Sequence, residues 1–171
     1  MTDSKGWNGV ITNDRILERP YCFCETPLGL IRIEEDQYGI TSLRFADGKT
    51  EKDLMDGKGI YLADAKAQIS EYFAQKRKAF DIPLSMRGSE FQKSVWSALR
   101  DIPYGETRCY QQIAERIENR KACRAVGMAN NRNPILIMIP CHRVVGKDGK
   151  LVGYAAGIDR KQYLLEMETA Q

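Results

Sequence analysis

The residues most able to do chemistry in this sequence are a cysteine and the chain's only histidine, which are neighbours. Cys141 and His142 follow Pro140 and an apolar run, Ile135–Ile139. A thiolate is a much better nucleophile than a thiol, and an adjacent base can generate it near neutral pH. The pair therefore fits a nucleophilic cysteine activated by a histidine, but it also fits a buried cysteine beside a hydrogen-bonded histidine. Taken alone, it favours the second interpretation.

The elements that flank this pair have to hold it in place. The run Ile135–Ile139 predicts a buried core strand that ends at Cys141. Upstream, Ser89 followed by the acidic Glu90 predicts the start of a helix, whose apolar residues recur as far as Leu99.

Between these elements, two short helices are predicted over Tyr110–Ile117 and Lys121–Asn130, joined by a tight turn. Such a pair is typical of a helix-turn-helix, although short helical pairs also occur in proteins that do not bind DNA. The second helix is slim because it carries small residues at Ala122, Cys123, Ala125, Gly127 and Ala129. Small residues allow either close packing between helices or entry into the minor groove, which is about 6 Å wide.

The N-terminal half has the pattern of a small α/β unit. Apolar residues between Tyr21 and Phe45 predict an antiparallel meander of three strands. The helical period of Tyr61–Lys78 predicts a helix, and Phe80–Leu84 predicts a short extended return.

A boundary just before Ser89 divides the chain into two predicted domains, residues 1–88 and residues 89–171. The net charge is +3, and the excess of basic residues lies in the second domain. A basic surface is usually only a solvated face, so it favours nucleic acid only together with other features. Residues 1–18 are expected to form an irregular arm.

Composition indicates a globular chain in a reducing compartment. Hydrophobic residues make up 43% and charged residues 29%, and no apolar stretch approaches the roughly 18 residues that span a bilayer. The N-terminus lacks the apolar core of a secretory signal, and the five cysteines show no disulfide spacing, so we expect a cytoplasmic protein with free thiols. Cys22 and Cys24 are expected to be packing residues, and a single histidine argues against zinc. Without a Gly-rich phosphate loop, the sequence predicts no cofactor.

The segment Pro140-Cys141-His142-Arg143-Val144-Val145 resembles the active-site motif of the O6-alkylguanine-DNA alkyltransferases. The resemblance runs in unbroken order from about Glu90 to Glu168. Its other segments are Phe91–Trp96, Ile102–Thr107, Tyr110–Ala114, Arg124–Gly127, Asn133-Pro134 and Gly153–Lys161.

This resemblance implies an α+β fold with a small N-terminal ribonuclease-H-like α/β unit and a mainly helical, winged helix-turn-helix alkyltransferase domain. It implies repair by direct reversal, in which Cys141 irreversibly takes the alkyl group from O6-alkylguanine in a single turnover. O4-alkylthymine is a second candidate substrate. The implied partner is double-stranded DNA, bound through its minor groove with the damaged base flipped out. A monomer is expected, since the sequence carries no oligomer signal.

The resemblance also implies a role for each residue of the site. Cys141 is the nucleophile, and His142 takes its proton through a bridging water. Glu168 holds and polarises the imidazole. Tyr110 stabilises the departing guanine by hydrogen bonding, and Asn133 fixes the turn that leads to Cys141.

Further positions are implied for DNA and for the alkyl pocket. Arg124 fills the gap that the flipped nucleotide leaves in the duplex. Other expected DNA contacts come from Lys121, Ala122, Ala125, Arg132 and Tyr110. The expected pocket is lined by Pro140, Val144, Tyr154, Ala155, Ala156 and Met128.

The sequence departs from the family pattern in the pocket loop, where Ala156 stands at the first of two usual glycines. Its methyl group is expected to narrow the pocket for bulky adducts. Cys123 and Cys109 replace other small residues, with no expected effect on the chemistry.

Two alternatives from other classes remain open. A damage-sensing relative binds alkylated DNA without transfer, but such relatives replace the reactive cysteine, which is intact here as Cys141. A helix-turn-helix transcription regulator of this kind carries an additional cysteine-rich metal-binding domain, for which this chain has no room.

Overall fold

The computed structural model describes residues 19–48 and 57–170 of the 171-residue chain. The predicted N-terminal arm, residues 1–18, lies outside the described residues. Within them, the architecture is the predicted α+β arrangement, with an antiparallel sheet and one helix followed by a mainly helical part. No helix in these two ranges is long and apolar enough to cross a membrane.

A three-stranded antiparallel sheet forms from β1 (Tyr21–Thr26), β2 (Gly29–Asp36) and β3 (Gly39–Phe45), in that order, as the meander predicts. Cys22 pairs with Ile33 and Cys24 with Ile31 across β1 and β2. Both cysteines are buried in the hydrophobic core, which confirms that they pack there.

The helix α1 (Leu62–Phe73) packs against this sheet and is shorter than the predicted Tyr61–Lys78. It ends early because Gln75 adopts a left-handed conformation, with φ of 59°, which stops helical propagation. The return that follows is extended, as predicted, and Leu84 makes a parallel bridge to Ile40 of β3.

The C-terminal part begins with α2 (Glu90–Arg100), which Ser89 caps as predicted. The supporting residue is Gln92 rather than Glu90: its backbone N–H donates to Ser89 Oγ over 3.2 Å, and its side chain accepts from the Ser89 N–H over 2.9 Å. A predicted helical pair follows as α3 (Tyr110–Arg116) and α4 (Cys123–Asn131).

A hydrogen bond connects two of these helices, and a short strand before α3 pairs with a strand that follows the turn carrying Cys141. Trp96 of α2 donates its indole N–H to the Ala129 carbonyl of α4 over 2.9 Å. Before α3, the short strand β4 (Arg108–Cys109) pairs in parallel with β5 (Val144–Val145). The last helix, α5 (Ile158–Thr169), packs beside the turn that carries Cys141.

The prediction of a core strand at Ile135–Ile139 is wrong. The segment is fully buried, but it is a series of turns in which Ile137 has φ of 71° and the Ile139 N–H donates to the Ile135 carbonyl over 3.0 Å. Only Ile135 makes a bridge to the sheet, with Leu43. An apolar run reports burial, and it does not by itself distinguish a strand from a compact buried turn.

One hydrophobic core runs through both halves of the chain. Its buried members include Ile33 and Ile69 from the N-terminal part and Leu99, Val126 and Leu164 from the C-terminal part. The predicted domain boundary between residues 88 and 89 therefore stays a prediction. The described residues on its two sides share one core.

Candidate active site

Cys141 opens a short 3₁₀ turn, Cys141–Arg143, directly after the buried turns. Its side chain is almost completely buried, with 1% exposed. The Asn133 carboxamide crosses this region: its Nδ2 donates to the Ile139 carbonyl over 2.8 Å and to Cys141 Sγ over 3.0 Å, and its Oδ1 accepts from the Ile135 N–H over 2.9 Å. Asn133 therefore joins both ends of the buried turn by hydrogen bonds and also bonds to the thiol.

Burial raises the pKa of the Cys141 thiol to about 11, against the opposing effects of the Asn133 hydrogen bond and the Lys161 charge. At neutral pH the resting side chain is consequently a thiol rather than a thiolate. A nucleophilic role then requires a base that removes the proton during the reaction.

His142 is the candidate base and is completely buried. Its Nε2 lies 2.9 Å from Glu168 Oε1. Burial lowers the pKa of His142 below its ordinary value, although Glu168 acts in the opposite direction, so the ring is neutral at neutral pH. Because an ionised carboxylate only accepts, Nε2 carries the hydrogen and Nδ1 keeps its lone pair. Nδ1 is buried and has no hydrogen-bond partner within the described ranges, which leaves it free to take a proton.

Glu168 collects donors from three separate parts of the chain. Arg143 donates to both oxygens, Nε to Oε2 and Nη2 to Oε1, each over 2.9 Å. The Tyr72 hydroxyl of α1 donates to Oε1 over 2.6 Å, and the Gly105 N–H donates to Oε2 over 3.3 Å. Burial alone would raise the pKa of Glu168, but the hydrogen bonds from His142 and Arg143 outweigh it and hold that pKa well below its usual range. The carboxylate is therefore a fixed negative charge behind the imidazole.

Two cations without a predicted role, Arg143 and Lys161, are buried beside the site. Arg143 also donates to the Ile102 carbonyl over 2.7 Å. Lys161 Nζ donates to the carbonyls of Val144 and Val152 over 2.6 and 2.8 Å. Burial lowers the pKa of Lys161 to about 8.

Signals for both were present in the sequence. Arg143 lies inside the active-site motif, and Lys161 stands seven residues before Glu168 on one helix, which places both on the same face. Asn130 was also missed: it is buried at the end of α4, and its Nδ2 donates to the Cys141 carbonyl over 3.5 Å.

Tyr110 lies at the start of α3 and faces the loop that was predicted to line the pocket. Its hydroxyl donates to the Val152 carbonyl over 3.2 Å. Burial raises the pKa of Tyr110, with a further contribution from Cys141, so the phenol keeps its proton at neutral pH. In the same loop Tyr154 is buried, Ala155 is exposed and Ala156 is half-buried.

An ion pair ties the pocket loop to the N-terminal sheet. Arg160, in the first turn of α5, donates to the Ala156 carbonyl over 3.3 Å and to the Leu28 carbonyl over 3.3 Å. It also binds the Asp47 carboxylate through two nitrogens, over 2.5 and 3.0 Å, and lies over the Phe45 ring. The loop is therefore braced from outside the C-terminal part.

Of the residues predicted to contact DNA, Tyr110 lies on α3, and the others lie on α4 or directly beside it in the chain. Lys121, Arg124, Ala125 and Arg132 are exposed, and Ala122 is half-buried. Met128, predicted for the pocket, is 57% exposed on the same helix. The other predicted pocket residues, Pro140 and Val144, are buried beside Cys141.

The structure thus brings together Cys141, His142, Glu168 and Asn133 and places Tyr110 at the loop beside them. It separates this buried group from the exposed face of α4. Across residues 19–48 and 57–170, no group of three or more His, Cys, Asp or Glu side chains is arranged to hold a metal ion.

Comparison with known proteins accounts for nearly the whole described chain. The sequence matches the family described as "6-O-methylguanine DNA methyltransferase, DNA binding domain" over residues 90–170, and the "ribonuclease-like domain" of the same methyltransferase over residues 20–86. A methylated-DNA–protein-cysteine methyltransferase of Methanosarcina acetivorans is 49% identical over 151 residues, covering 86% of this chain and 97% of that protein. The constitutive methyltransferase of Bacillus subtilis is 45% identical over 159 residues, covering 86% and 94%.

Solved structures agree. The crystal structure of Mycobacterium tuberculosis O6-methylguanine methyltransferase superposes with a TM-score of 0.79 at 42% identity, covering 88% of this chain and 93% of that one. A crystal structure of M. tuberculosis OGT in complex with DNA gives a TM-score of 0.79 at 43% identity, covering 88% and 92%. With both parts of the sequence matched and relatives nearly half identical, the chain belongs to the 6-O-methylguanine DNA methyltransferase family.

Proposed function

We propose that this protein repairs alkylated DNA by moving the alkyl group from O6-alkylguanine onto its own Cys141. The observation that carries this proposal is the buried Cys141 thiol, held by Asn133 next to a neutral His142 whose Nε2 is bonded to Glu168. Family membership supports the reaction class, and the geometry of these side chains supports the roles proposed for them. The protein is a methyltransferase that acts once, because a thioether at Cys141 has no simple route back to a thiol.

The displacement uses the groups already in place. The Cys141 proton passes to His142 Nδ1 through one water molecule, and Glu168 stabilises the imidazolium that forms. The sulfur forms a bond to the alkyl carbon while the bond from that carbon to guanine O6 breaks. The electron pair stays on the guanine, which Tyr110 stabilises by hydrogen bonding from its phenol. Lys161, a buried cation that acts on the thiol, favours the thiolate while the sulfur attacks.

The alkyl carbon can reach this buried thiol only if its nucleotide leaves the base stack. Arg124 is exposed on α4 and fills the space that the nucleotide leaves. The small residues Ala122 and Ala125 suit the narrow minor groove, while Lys121 and Arg132 contact phosphates. Pro140, Val144, Tyr154, Ala155, Ala156 and Met128 line the pocket and its mouth.

The same proposal includes four further features of the protein. The protein acts as a monomer in the cytoplasm, without a cofactor. The two proposed domains, residues 1–88 and 89–171, meet in a hydrophobic core to which described residues of both contribute.

The deciding experiment is an intact-mass measurement after incubation with a duplex oligonucleotide that contains O6-methylguanine. We expect each chain to gain the mass of one CH₂ group, located on Cys141 by peptide mapping. Cys141→Ser should abolish the gain, whereas Cys123→Ser, a half-exposed cysteine on α4, should retain it. Tight binding of the oligonucleotide without a mass gain would instead make the protein a damage sensor.

A further inference from the structure

Tyr72 connects the N-terminal part of the chain to the reactive group. It lies near the end of α1, 96 residues before Glu168, and is completely buried. Its hydroxyl donates to Glu168 Oε1 over 2.6 Å. The direction is fixed, because an ionised carboxylate can only accept.

Oε1 is shared by three donors, since it also accepts from His142 Nε2 and from Arg143 Nη2, each over 2.9 Å. Donors to the same oxygen compete for its negative charge. Each added donor weakens the pull of Oε1 on the His142 hydrogen and so makes imidazolium formation less favourable. The third donor therefore sets how readily His142 accepts the thiol proton.

Packing holds the Tyr72 hydroxyl in this position. Its ring stacks edge-on against Phe73 and Tyr104, with centroid distances of 5.4 and 6.1 Å, and lies at a tilt against Phe80, at 5.5 Å. A side chain that is buried among rings on several sides has few alternative rotamers. The hydroxyl is consequently directed at the carboxylate by rings from both parts of the fold.

We propose that Tyr72 is a positioning residue of the alkyltransferase relay, which orients Glu168 and limits the basicity of His142. This rests on the proposed function, and it makes α1 a working part of the site rather than only a support. The ionisable groups that face the His142–Glu168 pair come from α1, the loop after α2, the 3₁₀ turn, the pocket loop and α5. They are Tyr72, Tyr104, Arg143, Tyr154 and Lys161, together with the Cys141 thiol.

The test uses the fact that His142 is the only histidine of the chain. In protein without an affinity tag, imidazole NMR signals therefore report on this residue alone. We expect Tyr72→Phe to raise the pH midpoint of the His142 titration by about one unit, the size of a lost hydrogen bond to a charged group. The acid limb of the methyl-transfer rate should move in the same direction, because a more basic His142 is protonated, and unable to accept, at a higher pH.

A second variant keeps the shape of the side chain and should shift the His142 midpoint in the opposite direction. Installing 3-fluorotyrosine at position 72 makes the hydroxyl a stronger donor, so the His142 midpoint and the acid limb should both move to lower pH. This outcome remains available if Tyr72→Phe does not fold.

Tyr104→Phe is the matched control. Tyr104 belongs to the same ring cluster, and its hydroxyl is buried without a hydrogen-bond partner in the described part of the chain. Both readouts should stay at the wild-type values in this variant. Titrations of the two Tyr72 variants that match wild type, or an equal shift in Tyr104→Phe, would overturn the proposal. The titration needs no DNA, so a wild-type protein that transfers no methyl group would reject the proposed function without deciding the role of Tyr72.

Discussion

The buried relay and the exposed face of α4 satisfy their charged groups in opposite ways. In the relay, Arg143 and Glu168 are each bonded to several protein groups and are almost wholly buried. On α4 and just after it, Arg124 and Arg132 are exposed. The charged groups of the relay are thus satisfied by other protein groups, whereas the exposed cations of α4 are left to solvent or to a partner.

This difference predicts how substitutions in each region affect folding and transfer. Removing one member of a buried ion pair leaves its partner charged and unsolvated, which costs folding free energy. Removing an exposed cation hardly affects folding, because water already solvates it, and the loss is expected only when DNA is bound. Substitutions in the relay should therefore affect stability and transfer together, and substitutions on α4 should affect transfer alone.

The largest expected effect comes from Glu168→Gln. This substitution leaves the buried Arg143 without its carboxylate, so we expect a loss of about 3–5 kcal/mol in the free energy of unfolding. Urea denaturation measures it. The same change on the same helix at an exposed site, Glu166→Gln, should lie within about 0.5 kcal/mol of wild type. Adding Arg143→Met to Glu168→Gln should recover part of the loss. A double variant that is less stable than Glu168→Gln would show that the unpaired charge is not the cause.

On the other side of the comparison, Arg124→Ala should leave stability unchanged and slow transfer from duplex DNA on the order of tenfold to a hundredfold, since extruding a base costs a few kcal/mol. Transfer from free O6-methylguanine base, which needs no extrusion, should keep its wild-type rate. Lys76→Ala, which removes another exposed cation from the N-terminal part, should change neither rate. Equal slowing on duplex and free base would reject the extrusion role.

The two regions also differ in how well the sequence predicts them. Helices such as α2 and α4 follow from apolar periodicity and capping residues, which act locally. Cys141 and His142 follow from their types and from the motif around them. The turn at Ile135–Ile139 does not, because its shape depends on the Asn133 side chain bonding at both of its ends.

Long-range polar contacts could not be predicted from the sequence, for a related physical reason. The helical period predicts Tyr72 to be a core aromatic of an amphipathic helix. Its hydroxyl reaches Glu168 only because α1 packs against the C-terminal part. Arg143 reads as part of a motif, with no indication that it is buried. Periodicity predicts which face of an element is covered, but not which polar group will meet it there.

Lowering the pH should reduce the free energy of unfolding in two steps, each smaller than the loss expected for Glu168→Gln. His142 has a folded-state pKa below its ordinary value of 6.5, so the unfolded chain binds more protons and stability falls as pH drops below 6.5. The depressed pKa of Glu168 adds a further loss below its ordinary value of 4.5. Each group can contribute at most about 1.4 kcal/mol per pH unit. Urea midpoints at pH 7, 5.5, 4.5 and 3.5 measure both. The slope below pH 4.5 should be shallower in Glu168→Gln, and an unchanged slope would remove Glu168 from the explanation.

The smallest expected effect lies in the pocket loop. Ala156 is half-buried there, and its carbonyl accepts from the Arg160 side chain that braces the loop on Asp47. Ala156→Gly removes one methyl group without removing that carbonyl, so it should widen the pocket and leave the brace intact. We expect reaction with a benzylguanine probe to rise by about three- to tenfold, with methyl transfer nearly unchanged.

The added backbone freedom of glycine should cost about 0.5–1 kcal/mol of stability. Ala155→Gly, at the neighbouring exposed position, serves as the control, because it adds the same freedom without removing a half-buried methyl. If both variants speed the benzyl reaction equally, loop flexibility controls the pocket. If wild type already reacts rapidly and Ala156→Gly adds nothing, the methyl group does not limit the substrate. Only a gain confined to Ala156→Gly assigns the selection of alkyl groups to this side chain.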